Sequence, residues 1–183
     1  RGGLRDHLGG GFHRYATDVA WRVPHFEKML YDQAQLAIAY TEGFQATRDP
    51  LLRTVARETL DYVLRDLRDD AGGFHSAEDA DSVNESGAHS EGAFYVWTAE
   101  EIRRLVPSDA QALVKARFGI EHAGNVPPSL DVQGQLAGRN VLYLARTEAD
   151  VARQFSLPVA EVRRRLGVAV RALTAARQAR QRP

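Results

Sequence analysis

The apolar positions of residues 20–44, AWRVPHFEKMLYDQAQLAIAYTEGF, recur with a helical period. Phe26, Met29, Leu30, Ala37, Tyr40 and Phe44 fall in one stripe on a wheel of about 100° per residue. Pro24 has a fixed φ and no donor to lose, which suits a first helical turn. The pattern predicts a helix over residues 24–46. Gln33 sits inside the stripe, and a buried amide there needs a polar network or a wet cavity. His25 and Asp32 are seven apart, two turns along one side, a separation of about 10 Å by helix rise. The residues upstream, HLGGGFHRYATDVAW, mix glycine with polar and aromatic side chains. They read as a flexible loop feeding a helix start, whose electropositive end suits polar or anionic ligands.

The pattern continues as helices. Asp49-Pro50 is a restart signal, an N-cap followed by Pro at the first helical position. Leu52, Val55, Ala56, Leu60, Val63 and Leu67 carry a second helix to about residue 69. The short connection makes the two helices antiparallel neighbours. Residues 1–23 read as loop, with room for a short helix over 3–8. Residues 74–91, FHSAEDADSVNESGAHSE, form a long acidic loop, a kind of segment that is functional or disordered in compact domains. Residues 93–97 and 140–145 read as short strands that can pair as a two-stranded β ribbon. Thr98 with Glu101, Ser108 with Gln111, and Thr147 with Asp150 mark three further helix starts. The last helix, residues 158–178, buries Val159, Val162, Leu166, Ala169, Val170 and Leu173. The expected class is mainly α.

Composition narrows the function. The 183 residues are 44% hydrophobic and 26% charged, a globular balance. No apolar run approaches the roughly 20 residues of a membrane span, so no membrane partner is expected. The formal net charge is +0, which excludes a global basic field for nucleic acid. Without cysteine there is no disulfide and no thiolate nucleophile or metal ligand. A cytoplasmic location is the default expectation. Nearly all the cations are arginine, with Lys28 and Lys115 the two lysines, which reads as genome bias. The chain lacks an initiating Met and a signal-peptide pattern and reads as part of a longer protein.

Asp79-x-Asp81 begins like an EF-hand loop, but Val83, Asn84 and Ser90 stand where further ligands and a glycine belong. The six histidines show no HExxH spacing, and no metal is expected. Gly9-Gly10-Gly11 follows no strand, and neither GxGxxG nor a P-loop is present, so no nucleotide cofactor is expected. No GxSxG elbow is present either. Residues 151–166, VARQFSLPVAEVRRRL, resemble a helix-turn-helix, with Arg163, Arg164 and Arg165 on its second helix. The apolar continuation to Leu173 makes that helix too long, and the neutral total charge weighs against DNA.

Four blocks taken together, GGLRDHLGGGFHRYATDVAWRVPHFEKMLYDQAQLA, GGFHSAEDADS, GAFYVWTAEEI and AGRNVLYLA, resemble the YyaL-like family, also called spermatogenesis-associated thioredoxin-like proteins. The match covers about residues 1–145 in order. The resemblance implies a partial (α/α)6 toroid, similar to N-acylglucosamine 2-epimerases and six-hairpin glycosidases. Residues 1–183 would be its N-terminal portion, and a thioredoxin-like domain elsewhere in the full-length chain would be its partner. Helices beyond residue 183 would cover the apolar stripes of the first two. The resemblance further implies a sugar-like small molecule in a cleft at one end of the ring. The expected lining is Arg14, Tyr15, Trp21, Asp79 and Asp81 for binding. His25, Glu27 and Asp32 are the candidates for proton transfer, since imidazole titrates near neutrality and carboxylates bind hydroxyls or move protons. A non-catalytic scaffold serving the thioredoxin-like domain is the alternative, because similar folds host many activities.

Overall fold

A computed structural model describes residues 2–131 and 133–183. The described residues are mainly helical, with three short two-stranded antiparallel sheets. Strands β1 (Tyr15–Ala16) and β2 (Pro24–His25) pair with each other, and β3 (Lys28–Met29) pairs with β4 (Ala77–Glu78). Helices α1 (Leu30–Thr47) and α2 (Pro50–Tyr62) follow, and α2 runs into a π-helical turn, Val63–Leu67. Strands β5 (Asp81–Val83) and β6 (His89–Glu91) form a hairpin. Helices α3 (Ala99–Leu105), α4 (Ser108–Phe118), α5 (Glu148–Phe155) and α6 (Val159–Gln178) complete the order. No described helix is long and apolar enough to cross a membrane.

Local signals set several boundaries. Asp49 Oδ1 accepts from the Leu51 amide at 2.8 Å, with Pro50 as the first helical residue of α2. Reciprocal capping boxes join Thr98 to Glu101 and Thr147 to Asp150. The expected Ser108–Gln111 box does not form. Pro107 precedes α4, and Gln111 Nε2 instead donates to the carbonyls of Arg103 and Val106, closing the end of α3.

The first long helix begins at Leu30, six residues later than the period predicts. Residues 24–29 are extended because tertiary partners claim their backbone. Pro24 and His25 face Ala16 and Tyr15, while Lys28 and Met29 face Glu78 and Ala77. The Arg14 amide also donates to the Glu27 carbonyl at 2.8 Å. A proline at the start of a short strand forfeits no ladder bond. The helix-rise distance from His25 to Asp32 therefore does not apply.

Three other expectations change. Residues 3–8 form turns and a bridge, Arg5 to Phe12, rather than a helix. The predicted ribbon reduces to one bridge, in which Trp97 and Asn140 exchange amide–carbonyl bonds of 3.0 and 2.7 Å. Residues 93–96 coil as a turn because the Tyr95 and Val96 amides both donate to the Gly92 carbonyl. The acidic loop is built, not disordered: it supplies β4 and the β5–β6 hairpin, whose turn is held by Asn84 Oδ1 accepting from the Ser86 and Ala88 amides.

Two apolar clusters form the core. The larger joins α3–α6 through Trp97, Val114, Val151, Val162, Ala169 and Leu173, all essentially inaccessible. The smaller packs Val23, Phe26, Phe94, Tyr95, Val96 and Val141 under the N-terminal loop. The α1–α2 hairpin is less covered, with Tyr31, Ile38, Leu51, Leu60 and Leu64 exposed. Val159, expected in the core, is also exposed.

Gln33 meets the requirement that its position in the stripe imposes. It is fully buried, its Oε1 accepts from the Phe12 amide at 2.8 Å, and its Nε2 donates to the Phe12 carbonyl at 2.7 Å. One side chain thus fastens the glycine loop to α1. Gln33→Leu strands both Phe12 groups, with an expected loss of about 2–4 kcal/mol, the sum of two buried unmet bonds. Urea denaturation checks it, and a change under about 0.5 kcal/mol would show the loop to be held by other contacts.

Candidate functional site

The loop before β2 is shaped by backbone geometry that only some residues tolerate. Gly10 and Gly11 have φ of +76° and +73°, and a Cβ on Gly11 would lie 2.5 Å from the Tyr62 ring. The glycine run is thus a close approach of loop to α2, not a phosphate cradle. Downstream, Asp18 Oδ1 accepts from the Arg22 and Val23 amides at 2.8 Å each and turns the chain back. Trp21 sits at that turn, exposed and with φ of 59°.

The β1–β2 register places Tyr15 opposite His25, and their rings stack with centroids 5.0 Å apart. His25 Nδ1 lies 2.7 Å from Glu91 Oε1, and His25 Nε2 lies 3.8 Å from Glu27 Oε2. Glu27 in turn accepts from Arg14 Nη1 at 2.7 Å. The Glu91 amide donates to Gln135 Oε1 at 2.8 Å, which anchors the carboxylate's strand. An imidazole stacked on one ring and held between two carboxylates has a fixed orientation, as a general acid or base requires.

Asp32 stands in the first turn of α1. Its Oδ2 is buried and has no hydrogen-bond partner among the described residues. Burial raises the Asp32 pKa, Arg14 opposes the rise, and the negative charge of Glu27 adds to it. Asp32, Arg14 and Trp21 line a cleft of about 900 Å³, with Arg5, Phe12 and Tyr40 beside them and Leu144, Glu148 and Arg163 across it. Phe12 and Tyr40 stack at 5.7 Å on its floor. His7 and His13 also border the cleft, but burial lowers their pKa to about 4 and about 3, so both rings are neutral at pH 7.

Of the eight residues singled out in the sequence, Arg14, Tyr15, His25 and Glu27 form one contact chain, of which only Arg14 lines the cleft; Tyr15, His25 and Glu27 stand behind it. Asp32 feels the charges of Arg14 and Glu27, and Trp21 shares the cleft with Arg14 and Asp32. Asp79 and Asp81 stand apart: both are exposed, Asp79 Oδ1 accepts from the Asp81 amide at 3.1 Å, and neither lines the cleft. Asp81 is opposite Glu91 in the hairpin, so the acidic segment reaches the site through Glu91 instead. Among the described residues, no cluster of three or more His, Cys, Asp or Glu is arranged to hold a metal ion.

The chain matches no family model. It does have close relatives over its whole length. The chain is similar throughout to one segment of spermatogenesis-associated protein 20. It is 47% identical to the Homo sapiens protein over 100% of its own length and 44% identical to the Rattus norvegicus protein over 98%. An uncharacterized protein of Caenorhabditis elegans is 37% identical over 100% of the chain. The chain spans about a quarter of the length of these relatives: 24% of the two mammalian proteins and 26% of the nematode one.

Proposed function

We propose that these residues are one wall of a binding cleft for a sugar-like small molecule, in a longer protein of the spermatogenesis-associated protein 20 and YyaL-like type. In this reading α1 and α2 belong to an (α/α)6 toroid completed by other parts of that protein, which also carries a thioredoxin-like domain and resides in the cytoplasm. The observation that carries the proposal is the Asp32 carboxylate, with an unpartnered buried oxygen at a cleft of about 900 Å³. A buried polar atom without a partner marks a missing donor, and a ligand hydroxyl supplies one. Trp21 offers an aromatic face and Arg14 a donor at the same cleft, the combination of apolar wall and few polar groups that small-molecule sites use.

His25 is the proton-transfer candidate, with Glu91 positioning its ring and Glu27 as the second acid–base group. This supports an epimerase- or hydrolase-like reaction. The alternative, a scaffold for the thioredoxin-like domain, draws on exposed Tyr31 and Ile38 along α1. DNA binding has least support, because Arg163 is paired to Glu148, and Arg164 and Arg165 to Glu161.

The deciding variant is Asp32→Asn in the full-length protein, titrated with monosaccharides and N-acylated amino sugars. Ionised Asp32 is disfavoured in its site, so the amide is expected to leave the melt unchanged or raise it. Ligand affinity is expected to fall about tenfold, the loss of one charge-assisted hydrogen bond. Sugar affinity unchanged in Asp32→Asn, or no sugar bound by the wild type, rejects the reading.

A further inference from the structure

A separate, smaller cavity of about 270 Å³ borders the glycine loop at Gly9 and shares no lining residue with the cleft. Four cations border it, Lys28, Arg65, Arg177 and Arg182, against three carboxylates, Asp6, Asp66 and Glu78. Every carboxylate is already engaged. Asp6 accepts from Lys28 at 2.8 Å and from Arg177 at 2.7 Å. Asp66 accepts from Arg182 and from Arg65, each at 2.5 Å, and Glu78 accepts from Arg182 at 2.6 Å and from Tyr62 at 2.7 Å. The shell therefore carries one positive charge in excess, four against three, with no carboxylate left over to hold a cation.

Tyr95 also borders this cavity. It is 6% exposed, and its hydroxyl is buried with no hydrogen-bond partner among the described residues. Burial raises the pKa of that hydroxyl, the charges of Glu78 and Asp6 add to the rise, and Arg177 opposes it, so the phenol stays a neutral donor. Lys28 is 1% exposed; its ammonium donates to Asp6 and to the Gly10 carbonyl and faces the Tyr62 and Tyr95 rings. A buried hydroxyl without an acceptor and one excess positive charge describe a gap for an acceptor that is itself negative. The space is several times the roughly 30 Å³ share of one water, so a single water does not fill it.

We propose that this chamber binds a small tetrahedral oxyanion, either free phosphate or the phosphoryl group of a metabolite. Tyr95 donates its hydroxyl to the anion, and Lys28, Arg65 and Arg177 supply the charge. Because Asp6, Lys28 and Arg177 come from the N-terminal loop, β3 and α6, the anion would tie the two ends of the described chain together.

The test is titration of the full-length protein with inorganic phosphate and with a sugar phosphate, at constant ionic strength set by sodium chloride, followed by thermal shift and by ³¹P line broadening. Saturable stabilisation by either ligand is expected, and the tighter of the two identifies the source. Tyr95→Phe removes only the hydroxyl and is expected to weaken binding about tenfold. Arg65→Gln, at the half-exposed rim, is expected to weaken it severalfold. If Tyr95→Phe does not fold, Arg65→Gln decides. Phosphate acting no differently from chloride, or wild-type affinity in the folded variants, overturns the proposal. The cleft reading stands or falls separately, on sugars and Asp32.

Discussion

Asp6→Asn is expected to be among the most destabilising single substitutions in this chain, at about 3–5 kcal/mol. Asp6 is the hub of a buried ion triad: its side chain is 4% exposed and it accepts from Lys28, Arg177 and the amides of Leu8 and Gly9. Burial works against its ionisation, but Arg177 and Lys28 outweigh that and hold its pKa well below the usual carboxylate range. Removing the charge leaves two cations in the interior, and breaking one side of a buried pair costs about that much. Against a total stability of about 5–15 kcal/mol for a typical domain, the loss is a large share. Lys28→Met is expected to cost less, because Asp6 keeps Arg177 and the apolar chain still packs under the Tyr62 and Tyr95 rings, 4.3 and 4.9 Å from the ammonium. Urea midpoints give the ordering. Glu100→Gln, at an exposed pair with Arg103, provides the baseline, expected to melt like wild type because solvent screens such a pair. Equal costs for Asp6→Asn and Glu100→Gln would show that the triad does not hold the fold.

That triad was invisible in the sequence. Asp6 and Arg177 are 171 positions apart, and nothing local marks either. Lys28 looked like one of two stray lysines in an arginine-rich chain, yet it is among the most buried side chains. By contrast, the elements that depend on local chemistry were readable. Asp49-Pro50, Thr98 with Glu101, and Thr147 with Asp150 all act within a few residues of themselves, so sequence alone carries them. The misreadings fall where distant backbone competes for hydrogen bonds. Residues 24–29 have helical spacing, but the N-terminal loop and β4 pair with them first. Residues 93–97 are a short apolar run, which periodicity cannot assign to strand or turn. Gly92 settles it, with φ of 73° and the Phe26 ring where a Cβ would stand.

The candidate site divides along the same line. Arg14, Tyr15, His25 and Glu27 were legible because the loop and its continuation lie next to each other in the chain. Glu91, which holds the His25 ring, is 66 positions away, and the acidic segment pointed instead to Asp79 and Asp81. Those two hold their own hairpin. The long polar stretch thus reaches the site through the strand pairing that its alternating residues allow, and the residue it delivers was not the most conspicuous acid in it.

Acid is expected to destabilise this chain, and two histidines kept neutral by burial, His13 and His7, are the main reason. The His13 ring is 5% exposed, its Nδ1 lies 2.9 Å from the Phe26 carbonyl, and the rings of Phe26 and Tyr95 meet its edges at 5.3 and 4.7 Å. Burial, helped by the positive charge of Lys28, lowers its pKa from 6.5 to about 3. The folded chain therefore keeps this ring neutral, while the unfolded chain protonates it below about pH 6.5. More protons bound by the unfolded state means stability lost as pH falls, at about 1.4 kcal/mol per unit per group. At pH 5 His13 accounts for about 2 kcal/mol. His7, lowered to about 4 chiefly by burial, stays neutral over the same range and adds a similar share. Asp6 acts in the same direction further down: its depressed pKa contributes stability above the ordinary carboxylate range that disappears as pH falls through its folded value. Stability measured by urea denaturation from pH 7.5 to 4.5 is expected to fall throughout the acid half of that range. His13→Asn cannot titrate there and is expected to flatten the slope by about 1.4 kcal/mol per unit, whatever it does to stability at pH 7. A slope identical to wild type in His13→Asn would mean that the ring is protonated inside the fold and that the Phe26 carbonyl receives a bond from a charged donor.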